Sequence, residues 1–345
     1  MNPVNCWLQE ARPVEMIEDA PRYFPLETGR YEIKPGMVPL GYDFGNGQID
    51  QQVFQFDRNF PHYRQMKQMA RAERLTKYYQ TCNYTNEVAG AIARFIARRL
   101  TQEHPQWFHA EQLKNGSTVL HCRQTGETLY LDETGQLQDV QPHLQPDAEP
   151  GSPPYVSALD ALAAQIQEDL TVVCRKGEHH WVSAIHLCFP NHWAAEAKIG
   201  RDFSTVHAPV AGMEKINQQG TAIVNTMITR RPAVRFAWGI STDARLNHHP
   251  EAPLQVPIAT WHGRSFDPFH PRLYLRIERQ VIWGFPHHEA ALFTIRGYFR
   301  DCQPLKQDPS LRTRLVSAIE SMTPESLIYK GLAEDKATIL AWLND

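Results

Sequence analysis

Residues 186–213 read HLCFPNHWAAEAKIGRDFSTVHAPVAGM, and where regular structure starts and stops in this stretch organises the reading of the whole chain. It opens as the end of an apolar strand, Trp181 to Phe189, and breaks at Pro190. A short helical turn over Trp193 to Gly200 follows, and His207 then arrives just ahead of Ala208-Pro209-Val210. Proline steers the residue before it away from helix. The spacing therefore predicts irregular backbone around His207, from which an imidazole can enter a pocket without competing with a hydrogen-bond ladder.

Upstream, Val156, Leu159, Leu162, Ala163, Ile166 and Leu170 fall at helical spacing and lead into a strand at Leu170 to Arg175. Downstream, Ile216 to Thr229 reads as helix, and Ala233–Ile240, Leu273–Trp283 and Ala290–Phe299 read as strands. A turn around Gly284 to His287 makes the last two an antiparallel pair. The Pro- and His-rich loop from Asp243 to Arg272 has a length usually tied to function or disorder. Helices near Leu311–Ser321 and Pro324–Leu343 close the chain, Thr323-Pro324 being a good helix start. Strands broken by single helices and followed by antiparallel strands imply an α+β fold, a twisted antiparallel sheet with helices packed on it.

Toward the N-terminus, residues 1–60 lack a sustained period and read as an irregular wrap with short strands such as Tyr31 to Ile33. Pro61 to Thr81 is helical, and Arg64, Lys67, Arg71, Arg74 and Lys77 recur along one face. That stripe is either a solvated surface or a docking face for an acidic electron carrier. A second helix starts at Thr85 or Asn86, and Gln124-Thr125-Gly126 joins a hairpin. Prolines 142, 146, 150, 153 and 154 mark a linker, dividing the chain into 1–150, a core of 151–309 and C-terminal helices over 310–345.

Composition narrows the function. A formal charge of −3 excludes general nucleic-acid affinity, and no apolar run is long enough to span a membrane. The N-terminus does not resemble a signal peptide, so a cytoplasmic location is expected. Six scattered cysteines without a CxxC pair read as reduced thiols and support neither an iron–sulfur cluster nor structural zinc. Serine-hydrolase, P-loop and dinucleotide-binding signatures are absent, as is a close HxD or HxE pair for non-haem iron.

Alternation along the strands sorts the polar residues. In Leu273–Trp283 one face carries Arg276, Glu278 and Gln280, and the other carries Arg279 among aliphatic residues. Arg296 lies on the next strand and Arg235 on a third. Guanidinium forks on neighbouring strands bind carboxylates; the plainer alternative is that Arg276, Glu278 and Arg296 pair across the sheet. Among the sixteen histidines, the break in structure around His207 makes it a candidate ligand, and His192, just before Trp193, is another. His186, mid-strand beside Cys188, reads as a satisfied core residue.

Lys198, Gly200, His207, Pro209 and Val210, with Phe189, Pro190 and Trp193 before them, resemble the central motif of the haem-dependent oxidative N-demethylase family. Gln167-Glu168-Asp169-Leu170, Arg235 and Trp238 within RFAW, and LRIERQ (275–280) with FTIR (293–296) are similar to further elements of it, in order, from about Tyr31 to Tyr329. Ala237 and Ala211 depart from the family pattern. The resemblance implies a PAS-like sheet holding haem b, with His207 as axial ligand. It further implies a haem pocket drawn from Lys198, Trp193, Arg235, Trp238, Arg276 and Arg296, with Glu278 or Glu214 holding a substrate ammonium. The implied reaction oxidises a small secondary or tertiary alkylamine such as dimethylamine with O2 and releases formaldehyde. Electrons would come from partner subunits carrying flavin and an iron–sulfur cluster. A haem-binding sensor or structural subunit without catalysis is the alternative.

Overall fold

A computed structural model describes residues 3–142, 153–262 and 265–345. Eleven strands form two sheets: β1 (Val38–Pro39), β2 (Tyr79–Thr81), β3 (Phe108–Gln112), β4 (Thr118–Cys122), β5 (Glu127–Leu131), β6 (Leu137–Pro142), β7 (Asp169–Lys176), β8 (His179–His186), β9 (Ala233–Ser241), β10 (Tyr274–Phe285) and β11 (Ala290–Asp301). The main sheet runs β1-β9-β10-β11-β7-β8-β2, antiparallel throughout, and β3 to β6 form a meander beside it. The α+β expectation holds, and the 124–126 turn joins β4 to β5 as read. Both edge strands of the main sheet, β1 and β2, come from before residue 150, so the sheet crosses the expected division there. The linker prolines 146 and 150 lie outside the described residues.

Alternation in the long strands gives the main sheet two unlike faces. One is dry: Leu275, Ile277, Val281, Leu292, Leu170, Val172 and Val234 are buried there. Helix Asn86–Glu103 covers one end of it with Val88, Ile92, Phe95 and Ile96, its start capped by Thr85, whose hydroxyl accepts from Val88 N at 3.3 Å. Val14, Ile17, Tyr23 and Leu26 of the N-terminal wrap and the C-terminal helices Pro309–Glu320 and Lys336–Asn344 cover the other end.

The second face is covered at its ends and, over β8, by Ala195, Ile199 and Val206. Helix Gly220–Thr229 packs Val224, Met227 and Ile228 on Ile282 and Ala291. Its C-terminal end approaches so closely that a Cβ on Gly284 would lie 2.1 Å from the Ile228 carbonyl oxygen. At the opposite end, Ala244, Leu246 and Trp261 from the long loop pack with Phe189 around Phe299. Between these two covers, Phe293, Ile295 and Gly297 of β11 stay half-buried.

Several expectations are corrected. The basic stripe on helix Phe60–Tyr78 is for the most part turned inward: Lys67, Arg71 and Lys77 are at most 2% exposed, and Arg74, paired with Glu251, is the exposed member. Lys67 donates to the carbonyls of Ala163 and Glu168, Arg71 holds Asp160 through two hydrogen bonds of 2.8 and 3.0 Å, and Arg64 pairs with Glu127. Their partners lie some 60 to 100 residues away in sequence, where helical periodicity cannot see them. Tyr31 to Ile33 is not a strand, helix 158–163 is shorter than its apolar spacing suggested, and the final helix divides into Pro324–Tyr329 and Lys336–Asn344. His207 ends a short helix, Phe203–His207, and Ala208, directly before Pro209, keeps a right-handed helical conformation (φ −53°, ψ −37°).

Candidate functional site

The strip of the second face left open between its covers crosses small and polar residues of β9, β10 and β11, with Ile295 beside it. Glu278 on β10 stands opposite Ala237 on β9 and Gly297 on β11, so it has a methyl group on one side and a hydrogen on the other. A Cβ built on Gly297 would meet nothing within 4 Å, which makes this row a lane with room above it. Gln280, beside it, donates to Glu278 Oε2 at 3.1 Å and faces Arg235 across the strands. Arg235 makes one long hydrogen bond, 3.5 Å to the Lys34 carbonyl, and its buried Nε–H has no acceptor. Arg276, Arg279 and Arg296 share that unpaired Nε–H, but each has short hydrogen bonds from its terminal nitrogens, whereas Arg235 has the one long contact and so keeps donors to offer an incoming acceptor. Burial lowers its pKa, opposed by Glu278.

His207 approaches from the cover. Asp202 caps its helix, accepting from Thr205 N at 2.7 Å, and Ser204 ties the helix to the Asn217 carbonyl at 2.8 Å. His207 Nδ1 lies 2.8 Å from the Phe203 carbonyl oxygen. Since a carbonyl only accepts, Nδ1 carries the proton and Nε2 presents its lone pair. Burial pulls the imidazole pKa down to about 4, with the Phe203 carbonyl opposing and the charges of Arg235 and Lys198 adding to the fall. His207 is thus neutral at physiological pH with one nitrogen available as a ligand. Lys198 donates to the Val206 carbonyl and lies 6.0 Å from the Trp193 ring, which packs on Val182, Ile185 and Leu187.

Register separates the other candidates. Arg296 stands opposite Arg279 and points to the dry face, where it pairs with Asp57 at 2.8 Å and stacks on Tyr63 and Tyr298. Trp238 also points to that face and packs edge-on against Tyr31. Arg276 shares the open face but is buried beneath the long loop, donating to His248 Nδ1 (2.6 Å) and to the carbonyls of Phe189 (2.8 Å) and Leu246 (3.2 Å). The expected cross-strand pairing of Arg276, Glu278 and Arg296 is not formed, because these residues face Phe299, Gly297 and Arg279 respectively. Glu214 is exposed at the start of helix Glu214–Asn217. His192 is exposed with φ +62° and stacks on the buried His248, ring centroids 5.1 Å apart. His186 is fully buried and bonds Asp160 at 3.1 Å. Cys188 lies 3.8 Å from the same imidazole, but burial excludes this thiol from any substrate.

The sequence profile of haem-dependent oxidative N-demethylase, alpha subunit-like proteins matches residues 47–340. The chain belongs to this family. In that light the Gln167-Glu168-Asp169 turn, one of the matching elements, is a structural hub of this demethylase-family chain. Gln167 exchanges two hydrogen bonds with Asp57, Glu168 accepts from Gln55 N, and Asp169 accepts from the backbone of Cys188 and Phe189. Among the described residues, no group of three His, Cys, Asp or Glu side chains can hold a metal by itself. A haem iron needs a single protein ligand on its proximal side, and His207 has the protonation and the free nitrogen for that. The unpaired Arg235 Nε–H suits a propionate, and the side-chain-free strip at Gly297 leaves space over the sheet. These residues fit the group the family name specifies.

Sequence reasoning missed the lane itself. Gly297, inside a strand that otherwise reads FTIRGYF, carried the available signal, because glycine within a strand marks close approach of a ligand or another backbone. A surface depression of about 550 Å³, bordered by Arg99, Arg231 and Trp283, contains none of the sequence candidates.

Proposed function

We propose that the chain is the haem b-binding subunit of a cytoplasmic oxidative N-demethylase acting on a small secondary or tertiary alkylamine such as dimethylamine. The observation that carries this reading is the free Nε2 of His207, neutral and oriented by Phe203, over a sheet face on which Gly297 leaves open space. The order β9-β10-β11-β7-β8 supports the PAS-type reading of the sheet: of these five strands, the last in sequence lies between the first and the fourth. In this account His207 is the axial ligand, Arg235 and Lys198 anchor the propionates, and Trp193 lines the wall behind Lys198. Arg276, Arg296 and Trp238 hold the scaffold, and Glu214 has no part.

Bound haem supplies the activation of O2. In balance, the amine N-methyl group, O2, two electrons and two protons give the demethylated amine, formaldehyde and water. Glu278 holds the substrate nitrogen in the lane, with Gln280 fixing the carboxylate through its 3.1 Å hydrogen bond. Ala237 and Gly297 keep the ground beside it low enough for a methylated nitrogen to lie there. The chain has no clustered thiolates, so flavin- and iron–sulfur-bearing partner subunits deliver the electrons.

The test is formaldehyde release from dimethylamine by hemin-loaded protein supplied with a low-potential electron donor. Release that requires O2 and is lost in Glu278→Gln supports the reading. Stable O2 binding without formaldehyde identifies a sensor instead.

A further inference from the structure

The β9 border of the lane is closed by a residue from outside the sheet. Lys330 follows helix Pro324–Tyr329, and its ammonium donates to the Trp238 carbonyl oxygen at 2.9 Å. It lies 5.9 Å from the Tyr31 ring and 5.6 Å from the Tyr329 ring, an aromatic collar of the kind that holds cations. From the collar the side chain reaches over Gly239, where a Cβ would lie 3.9 Å from both Cδ and Nζ. Gly239 faces Arg276 and Ala237 faces Glu278, so only small residues of β9 stand between the ammonium and the lane.

The charges around Glu278 are Arg276 on its own strand, Arg235 on β9 and Lys330 with Tyr329 from the C-terminal turn. Burial lowers the Lys330 pKa, Glu278 opposes that fall and Arg276 adds to it. Among the described residues Glu278 is the carboxylate that acts on both Lys330 and Arg235, whereas Arg276 is also balanced by Asp243 and Asp169. One carboxylate is therefore shared between two fixed cations.

We propose that Lys330 is a specificity-determining residue of the lane: its fixed positive charge offsets Glu278, so that the lane favours the uncharged form of an amine and discriminates against a permanent cation of the same size. This rests on the reading of the lane as the amine-binding face. It assigns a role in substrate choice to the C-terminal turn, which lies outside the sheet.

The experiment titrates two tetrahedral probes of similar size, tetramethylammonium and tert-butyl alcohol, calorimetrically into the full chain with and without hemin. Because like charges in one site repel strongly, Lys330→Met is expected to tighten tetramethylammonium about tenfold or more while changing tert-butyl alcohol by less than about twofold. Lys330→Arg is expected to leave both probes as in the wild type. Should Lys330→Met fail to fold, Lys330→Gln removes the charge and retains a donor for the Trp238 carbonyl. Unchanged tetramethylammonium binding in a folded, uncharged variant overturns the proposal, and so does an equal gain by both probes, which reports space rather than charge. Hemin uptake by the same preparations keeps the two readings apart. A chain that takes up hemin but shows no charge discrimination refutes the role of Lys330 alone, and one that takes up no hemin refutes the haem reading.

Discussion

Arg296 was a candidate propionate anchor by sequence, and its place in the fold makes a sharp prediction of the opposite kind. Its guanidinium and the Asp57 carboxylate are each 1% exposed and 2.8 Å apart. Arg296 also donates to the Gly297 carbonyl at 2.8 Å and stacks 4.2 Å from the Tyr63 ring. In Arg296→Met the apolar stem packing survives, but Asp57 keeps a buried charge whose remaining partners are Asn59 N at 2.9 Å and the Gln167 amide at 3.1 Å. Removing one partner of a buried ion pair costs about 3–5 kcal/mol, a large share of the roughly 5–15 kcal/mol that separates folded from unfolded states. Urea unfolding at pH 7 followed by tryptophan fluorescence should show that loss in the midpoint, with the slope unchanged. Adding Asp57→Asn should recover part of it, because the stranded charge is gone. Hemin uptake by protein that remains folded should match the wild type. A stability loss under about 1 kcal/mol, or hemin affinity lost with stability intact, would refute this placement of Arg296.

Two further predictions concern buried carboxyls whose shifts run in opposite directions. Burial pushes Asp160 up, but His186 and Arg71 outweigh it and hold its pKa at about 2, below the usual carboxylate range. Its stabilisation is therefore present above the unfolded value and lost as pH falls toward 2, and Arg71→Met should cost several kcal/mol at pH 7 but progressively less in acid unfolding titrations. Burial pushes Glu168 up to about 7, against the pull of Arg296. A raised carboxyl favours the fold at low pH and loses that contribution as pH rises through the folded value, so wild-type stability should fall by up to about 3 kcal/mol between pH 4.5 and pH 7, and Glu168→Gln should flatten that fall.

Much of the sheet was legible because each long strand carries its alternation within its own sequence: β7, β9, β10 and β11 lie within one or two residues of their expected bounds. Register between strands is not written locally. Arg235, Arg276 and Arg296 looked equivalent along their own strands, and only the pairing of Arg296 with Arg279 turns it to the dry face while Arg235 stays in the open one. The same limit explains the basic helix, whose counter-charges Asp160 and Glu127 come from distant segments. His207 was found through its broken surroundings, although its local backbone is helical. The tautomer that leaves its Nε2 free depends on a carbonyl one helical turn back, which becomes visible once that turn is formed. Lys330 had no pattern of its own, since its role depends on a sheet edge about ninety residues earlier.

The proposed function stands on His207 presenting a neutral nitrogen to haem iron over this face. The most direct measurement titrates hemin into purified wild-type and His207→Ala protein and records the absorption spectrum with extracted haem quantified beside it. Near-stoichiometric haem b with a Soret band is expected in the wild type, and a shifted band with weakened retention in the variant. His207 is half-buried and makes one side-chain hydrogen bond, so the substitution should lower stability by only about 1 kcal/mol. A wild-type chain that takes up no hemin, or a variant with unchanged spectrum and haem content, would contradict it.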